Sequence, residues 1–142
     1  MTRRTGPLDP VSGWYLAHMR GSHTNDRFAL SEVIAPAGDM PPLHIHRRDD
    51  ETYYVLDGEL TLYIGDDVIT AGPGVCVHAP RNGAHTYEVT SGRSARWLIV
   101  SSPAGFETLI ERMGTMPAER LFVDYGIEVL GPPGTLPGGA AR

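Results

Sequence analysis

From residue 28 to residue 100 the chain is cut into short apolar runs by turn residues every 8 to 12 positions or so, and that rhythm constrains its fold more than any other feature. Residues 52–56 (Thr-Tyr-Tyr-Val-Leu) and 60–64 (Leu-Thr-Leu-Tyr-Ile) are aromatic and β-branched, and Asp57-Gly58 between them is a hairpin signal. Gly65-Asp66-Asp67 turns the chain into 68–70, residues 71–74 turn it into 75–79, and 80–83 turn it into 85–90. Residues 96–100 form the last clear strand, and 28–34 alternate ahead of a Pro36-Ala37-Gly38-Asp39 break. Residues 14–18 are a further β-prone run, and 19–27 read as a polar loop. Short strands without intervening helices predict an all-β sandwich or barrel rather than βαβ units.

Helical periodicity enters only late. Phe106, Leu109, Ile110 and Met113 fall at i, i+3, i+4, i+7 and make one apolar stripe, which Gly114 stops. A second helix is expected from Thr115 and Pro117, with Leu121, Phe122 and Tyr125 on its apolar side and Gly126 at its end. Both are read as cover for an open face of the barrel. The 142 residues divide into a flexible 1–12 segment, a single domain over 13–130 and a Gly/Pro-rich 131–142 tail expected to be disordered.

Composition removes several classes of chemistry. All 12 basic residues are arginine, so a lysine Schiff base and a GxxxxGK phosphate loop are excluded. A formal charge of -5 disfavours a nucleic-acid partner. The single cysteine, Cys76, fits a reducing compartment, and no apolar run approaches a membrane span. With no apolar stretch after the basic start to make a signal peptide, a soluble cytoplasmic protein is expected.

His44 and His46 stand two apart in an extended segment, so both imidazoles face one side of the sheet. Glu51 follows a charged loop at the start of the next strand, and His85 opens a later strand just after the 80–83 turn. Three imidazoles and one carboxylate converging inside a barrel make a metal site. Asp50 is one residue out of phase with that face and is not read as a ligand. His78 is in phase with Cys76, but a satisfied strand residue is the simpler reading, and His18 and His23 are expected to be solvated.

The spacing Gly38, His44, His46, Glu51, Gly58 resembles the first motif of the cupin superfamily, G-x5-HxH-x3-4-E-x6-G, in every fixed position. Gly74, Pro80 and His85 resemble its second motif, G-x5-PxG-x2-H-x3-N, with Asn82 at the glycine position and Val89 at the final asparagine. The resemblance covers roughly residues 28–100 and implies a double-stranded β-helix, or jelly-roll, barrel with one or two C-terminal helices over about 104–126. It also implies that His44, His46, Glu51 and His85 hold one divalent transition metal ion per chain: Fe, Ni, Mn, Cu, Co or Zn. A six-coordinate ion would then keep two positions for substrate, water or dioxygen. Tyr53 and Val55 share a face with Glu51, and Tyr87 shares one with His85; with Trp97 they are candidates for a substrate pocket, ordinary barrel filling being the alternative.

The segment after Ser102 is similar to the tails of small bacterial quercetin dioxygenase-like cupins. That implies an oxygenase acting on a small aromatic or enol-containing molecule, with Glu51 as ligand and also as base. Similarity to cupin cyclases of aromatic polyketide biosynthesis and to isomerases implies a redox-neutral alternative in which the metal polarises a carbonyl. A metal or small-molecule binding module without catalysis is the third reading. Small cupins also imply a homodimer formed by exchange of N-terminal strands, a role compatible with the run around Trp14.

Overall fold

The computed structural model describes residues 15–138. The expected flexible segment 1–12, Trp14 and residues 139–142 lie outside them. Among the described residues, ten strands form two five-stranded sheets. One has the order β1 (Tyr15–Met19), β2 (Ala29–Ala35), β9 (Ala95–Ser102), β4 (Asp50–Asp57), β7 (Cys76–Ala79). The other runs β10 (Ile127–Gly131), β3 (Leu43–His46), β8 (His85–Val89), β5 (Leu60–Ile64), β6 (Asp67–Ala71). All paired strands are antiparallel. The all-β architecture expected from the strand rhythm and the jelly-roll implied by the resemblance are the observed fold.

The inner faces of the two sheets meet in a core that includes Val55, Leu60, Leu62, Val77, Val89 and Trp97. Period-2 alternation produces it: along β4, Glu51, Tyr53 and Val55 are buried while Tyr54 is exposed. The hairpin between β4 and β5 needs glycine at its tip. Gly58 has φ +78°, and a Cβ there would lie 2.7 Å from Ala95 Cα.

The helical cover forms as expected, as α2 (Phe106–Arg112) and α3 (Ala118–Asp124). Leu109 and Leu121 bury the helices against the barrel, α2 over β1 and β2 and α3 against β10. Glu107, also buried, accepts the backbone N–H groups of Gly21 and Gly105 at 2.7 Å each and ties α2 to α1 (Gly21–Thr24).

Three segments depart from expectation. The 19–27 loop contains the single turn of α1, whose polar sequence carries no helical stripe. Strand β10 follows α3 directly and pairs with β3, although three of its five residues are exposed and leave no alternation to read. It ends at Gly131, inside the segment expected to be disordered, and a turn follows in which the Thr135 N–H donates to Pro132 O at 3.0 Å. No helix among the described residues is long and apolar enough to cross a membrane.

Candidate metal centre

β3, β4 and β8 bring the four expected ligands together. His44 and His85 are directly opposite each other across the β3–β8 pair, and His46 follows two residues along β3. Glu51 reaches in from β4 of the other sheet, where it pairs with Ala79 and Ser101. One donor atom from each of the four lies within 4.8 Å of all the others. The imidazole centroids are 4.4 Å (His44–His85), 5.0 Å (His44–His46) and 5.4 Å (His46–His85) apart. His46, Glu51 and His85 are almost wholly buried.

Outer hydrogen bonds fix the tautomers. His44 Nδ1 faces Pro42 O at 2.6 Å, and His85 Nδ1 faces Gly83 O at 3.2 Å. A carbonyl can only accept, so each Nδ1 carries the proton and each Nε2 presents its lone pair. His46 Nδ1 donates to Asp49 Oδ1 at 3.0 Å. This is the partner arrangement that orients metal-binding imidazoles. Asp49 is the functional residue that the sequence reading missed; its only local signal is a position three residues after a ligand histidine. Asp49→Ala is expected to weaken metal binding by about 10–100-fold while the fold is kept, measured by competition with a chromophoric chelator.

The donor atoms fit a cation. His85 Nε2 is buried without a hydrogen-bond partner among the described residues, and Glu51 Oε1 is buried facing imidazole nitrogens alone. Glu51 Oε1 is also 2.5 Å from His46 Nε2 and 4.0 Å from His85 Nε2. A carboxylate crowded by ring nitrogens at these distances needs positive charge between them. Glu51 Oε2 accepts a hydrogen bond from the Tyr53 hydroxyl at 3.3 Å, which holds the carboxylate.

The electrostatics follow. Burial alone would lower the His46 pKa, but Glu51 and Asp49 more than reverse this and hold it up at about 10. Burial would raise the Glu51 pKa, and His46, His85 and His44 instead bring it down to about 2. Burial, reinforced by His85 and His46, pushes His44 down to about 4, and burial also lowers His85. At neutral pH a proton on His46 therefore stands where an ion would bind. Because the raised pKa keeps that proton bound until pH approaches 10, rising pH favours the ion. Apparent affinity is expected to rise about tenfold per pH unit between about pH 7 and pH 9, one proton being released per ion. Calorimetry in buffers of different ionisation enthalpy checks this, and a slope near zero would contradict it.

A cavity of about 630 Å³ opens beside His44 and Glu51, walled by Tyr53, Tyr87, Ile99, Phe106 and Ile110 among others. Tyr53 and Tyr87 both line it. Val55 and Trp97 do not; both are wholly buried in the core. The β4–β9 register explains the difference, since Glu51 pairs with Ser101, Tyr53 with Ile99 and Val55 with Trp97. Each pair is one layer deeper, and the third layer lies beneath the cavity. The helices are more than core cover: Phe106, Ile110 and Met113 of the predicted stripe form part of the cavity wall.

The other singled-out residues lie apart. Asp50 points away from the ligands and accepts the Arg81 N–H at 2.9 Å. His78, on the outer face of β7 with Cys76, is 3.0 Å from Thr52 Oγ1. His18, expected to be solvated, is 3.0 Å from Glu32 Oε1. Asn82, at the motif's glycine position, has φ +67°, a conformation that asparagine tolerates, and its N–H donates to His46 O at 2.8 Å.

With this geometry, the comparisons with known proteins agree. The family model of the cupin domain matches residues 31–101, half of the chain. The chain is a cupin. Quercetin 2,3-dioxygenase of Bacillus subtilis is 29% identical to it over 92 residues, which cover 65% of this chain and 27% of that enzyme. The cupin thus spans about a quarter of its relative's length. A solved structure from Thermus thermophilus is 27% identical with a TM-score of 0.52, covering 55% of this chain and 74% of that one. The polyketide cyclase RemF of Streptomyces resistomycificus is 24% identical with a TM-score of 0.59, covering 72% of this cupin and 80% of the cyclase. That last likeness speaks for the shared fold.

Proposed function

We propose that this cupin is a metal-dependent dioxygenase acting on a small aromatic or enol-containing molecule in the cytoplasm. The observation that carries the reading is a largely buried set of three imidazoles and one carboxylate, with His85 Nε2 left without a hydrogen-bond partner among the described residues, at the wall of a mostly apolar cavity of about 630 Å³. The partial identity to a quercetin dioxygenase supports the same reading. The donors His44, His46, Glu51 and His85 suit Fe, Ni, Mn, Cu, Co or Zn. When bound, such an ion supplies Lewis acidity to a substrate oxygen and, if redox-active, a means of activating dioxygen.

The chain's own residues do the rest. Apolar walls, with Phe106 and Ile110 from the helix, exclude water and accept an aromatic ring. Tyr53 fixes the Glu51 carboxylate through Oε2 and leaves Oε1 facing the imidazoles. The surrounding imidazoles keep Glu51 so weakly basic, at about 2, that it serves first as a ligand. With so low a basicity Glu51 would take a proton only from an acidic substrate hydroxyl.

Elemental mass spectrometry on protein purified without chelator, followed by an oxygen-uptake screen of phenols and enols, tests the proposal. About one Fe, Ni, Mn or Cu per chain with substrate-dependent uptake supports it. Zinc with anaerobic conversion would replace it with a cyclase or isomerase, and binding without conversion would leave a binding module. A homodimer exchanging N-terminal strands belongs to the same proposal; β1 is at the edge of its sheet. Light scattering that shows a monomer at micromolar concentration would contradict that part.

A further inference from the structure

The charges on the cavity wall are one-sided. Among its lining residues are two carboxylates, Glu51 and Asp39, and no arginine, and the chain has no lysine at all. Glu51 is committed to the imidazoles. Asp39 is engaged in no ion pair among the described residues; the Tyr87 hydroxyl reaches its Oδ2 at a long 3.5 Å. Burial raises the Asp39 pKa and the Tyr87 contact opposes the rise.

Asp39 is fixed in place from both sides. The Val89 N–H donates to Asp39 O at 3.0 Å and the Gly38 N–H donates to Val89 O at 2.9 Å, so the turn is fastened to β8. Tyr87 stands edge-on against Tyr53 at 6.2 Å and against Trp97 at 5.1 Å, which leaves its ring little freedom. Along β8, Tyr87 is two residues beyond His85 and Val89 four, about 7 and 13 Å at the rise of a strand. The Asp39–Tyr87 pair therefore faces the cavity at a distance from the metal ligands comparable to the length of a small aromatic molecule.

We infer that Asp39, placed by Val89 and Tyr87, is the specificity residue of this cavity and accepts a hydrogen bond from a hydroxyl that a neutral substrate carries away from its metal-binding end. The inference deepens the dioxygenase proposal and rests on it. A carboxylate or phosphate at that end of the substrate would meet Asp39 as a like charge with no cation to balance it, so anionic substrates are disfavoured. A neutral hydroxyl makes a charge-assisted bond in a partly desolvated place.

The test uses the metal-loaded full chain and two probes: kaempferol, a flavonol with isolated ring hydroxyls, and 3-hydroxyflavone, which keeps only the enol. Affinities are read by calorimetry for wild type, Asp39→Ala and Asp39→Asn. Wild type is expected to bind kaempferol about tenfold more tightly than 3-hydroxyflavone. Asp39→Ala should remove that preference and leave 3-hydroxyflavone unchanged, and Asp39→Asn, which keeps an acceptor of the same shape, should fall between. Asp39→Asn also carries the test if the alanine variant does not fold. Equal affinity for both probes in wild type, or an equal loss for both in the variants, overturns the inference while the dioxygenase proposal stands. Binding of neither probe by wild type overturns the proposed substrate class and the inference with it.

Discussion

Metal binding is expected to be lost when His85 is replaced by alanine. His85 supplies one of four donors, is almost wholly buried and has its Nε2 without a hydrogen-bond partner among the described residues. Its removal should therefore cost more than the about 10–100-fold expected for an outer partner such as Asp49. After dialysis, wild type should retain about one ion per chain and the variant less than about a tenth of that. Thermal unfolding gives an independent reading. An ion at 100 times its dissociation constant stabilises the wild type by about 2.7 kcal/mol, and the variant should show no such shift. Retention of a full equivalent by His85→Ala would place the ion elsewhere.

The second large effect is on stability. Trp97 is wholly buried in the core beneath the cavity, opposite Val55 and edge-on to Tyr87. Trp97→Ala is expected to lower the unfolding free energy by about 3–5 kcal/mol, and the thermal midpoint by roughly 10 °C or more. Metal stoichiometry should stay near wild type, because Trp97 is two layers below Glu51. Trp97→Phe should be far milder. It keeps the aromatic filling and removes an indole N–H that has no hydrogen-bond partner among the described residues. Denaturation of the three proteins, with metal content measured on each, separates a core residue from a pocket residue. A loss of metal larger than the loss of stability would return Trp97 to the site.

These two residues also show what a sequence can and cannot reveal. The ligands were legible because the motif spacing singles them out, while strand parity puts His44 and His46 on one face and the 80–83 turn sets where the strand of His85 begins. Parity says nothing about depth, so Tyr53 and Val55 read alike although one lines the cavity and the other lies beneath it. Asp49 was hidden in a charged loop, since its hold on His46 depends on how that loop folds back. Asp39, Tyr15 and Ile110 reach the cavity from separate elements and leave no joint pattern along the chain. Strand β10, mostly exposed, lacks the alternation by which the inner strands are recognised. The helices were visible from their apolar stripe, but the stripe alone could not tell core cover from cavity wall.

The central claim is that His44, His46, Glu51 and His85 hold one transition metal ion. The most direct measurement is anomalous diffraction at the absorption edge of the metal found in the purified protein. The account predicts one peak per chain, about 2.0–2.2 Å from the Nε2 atoms of His44, His46 and His85 and from a carboxylate oxygen of Glu51. A peak at other residues, or none after reconstitution with Fe, Ni, Mn, Cu, Co and Zn in turn, would contradict it.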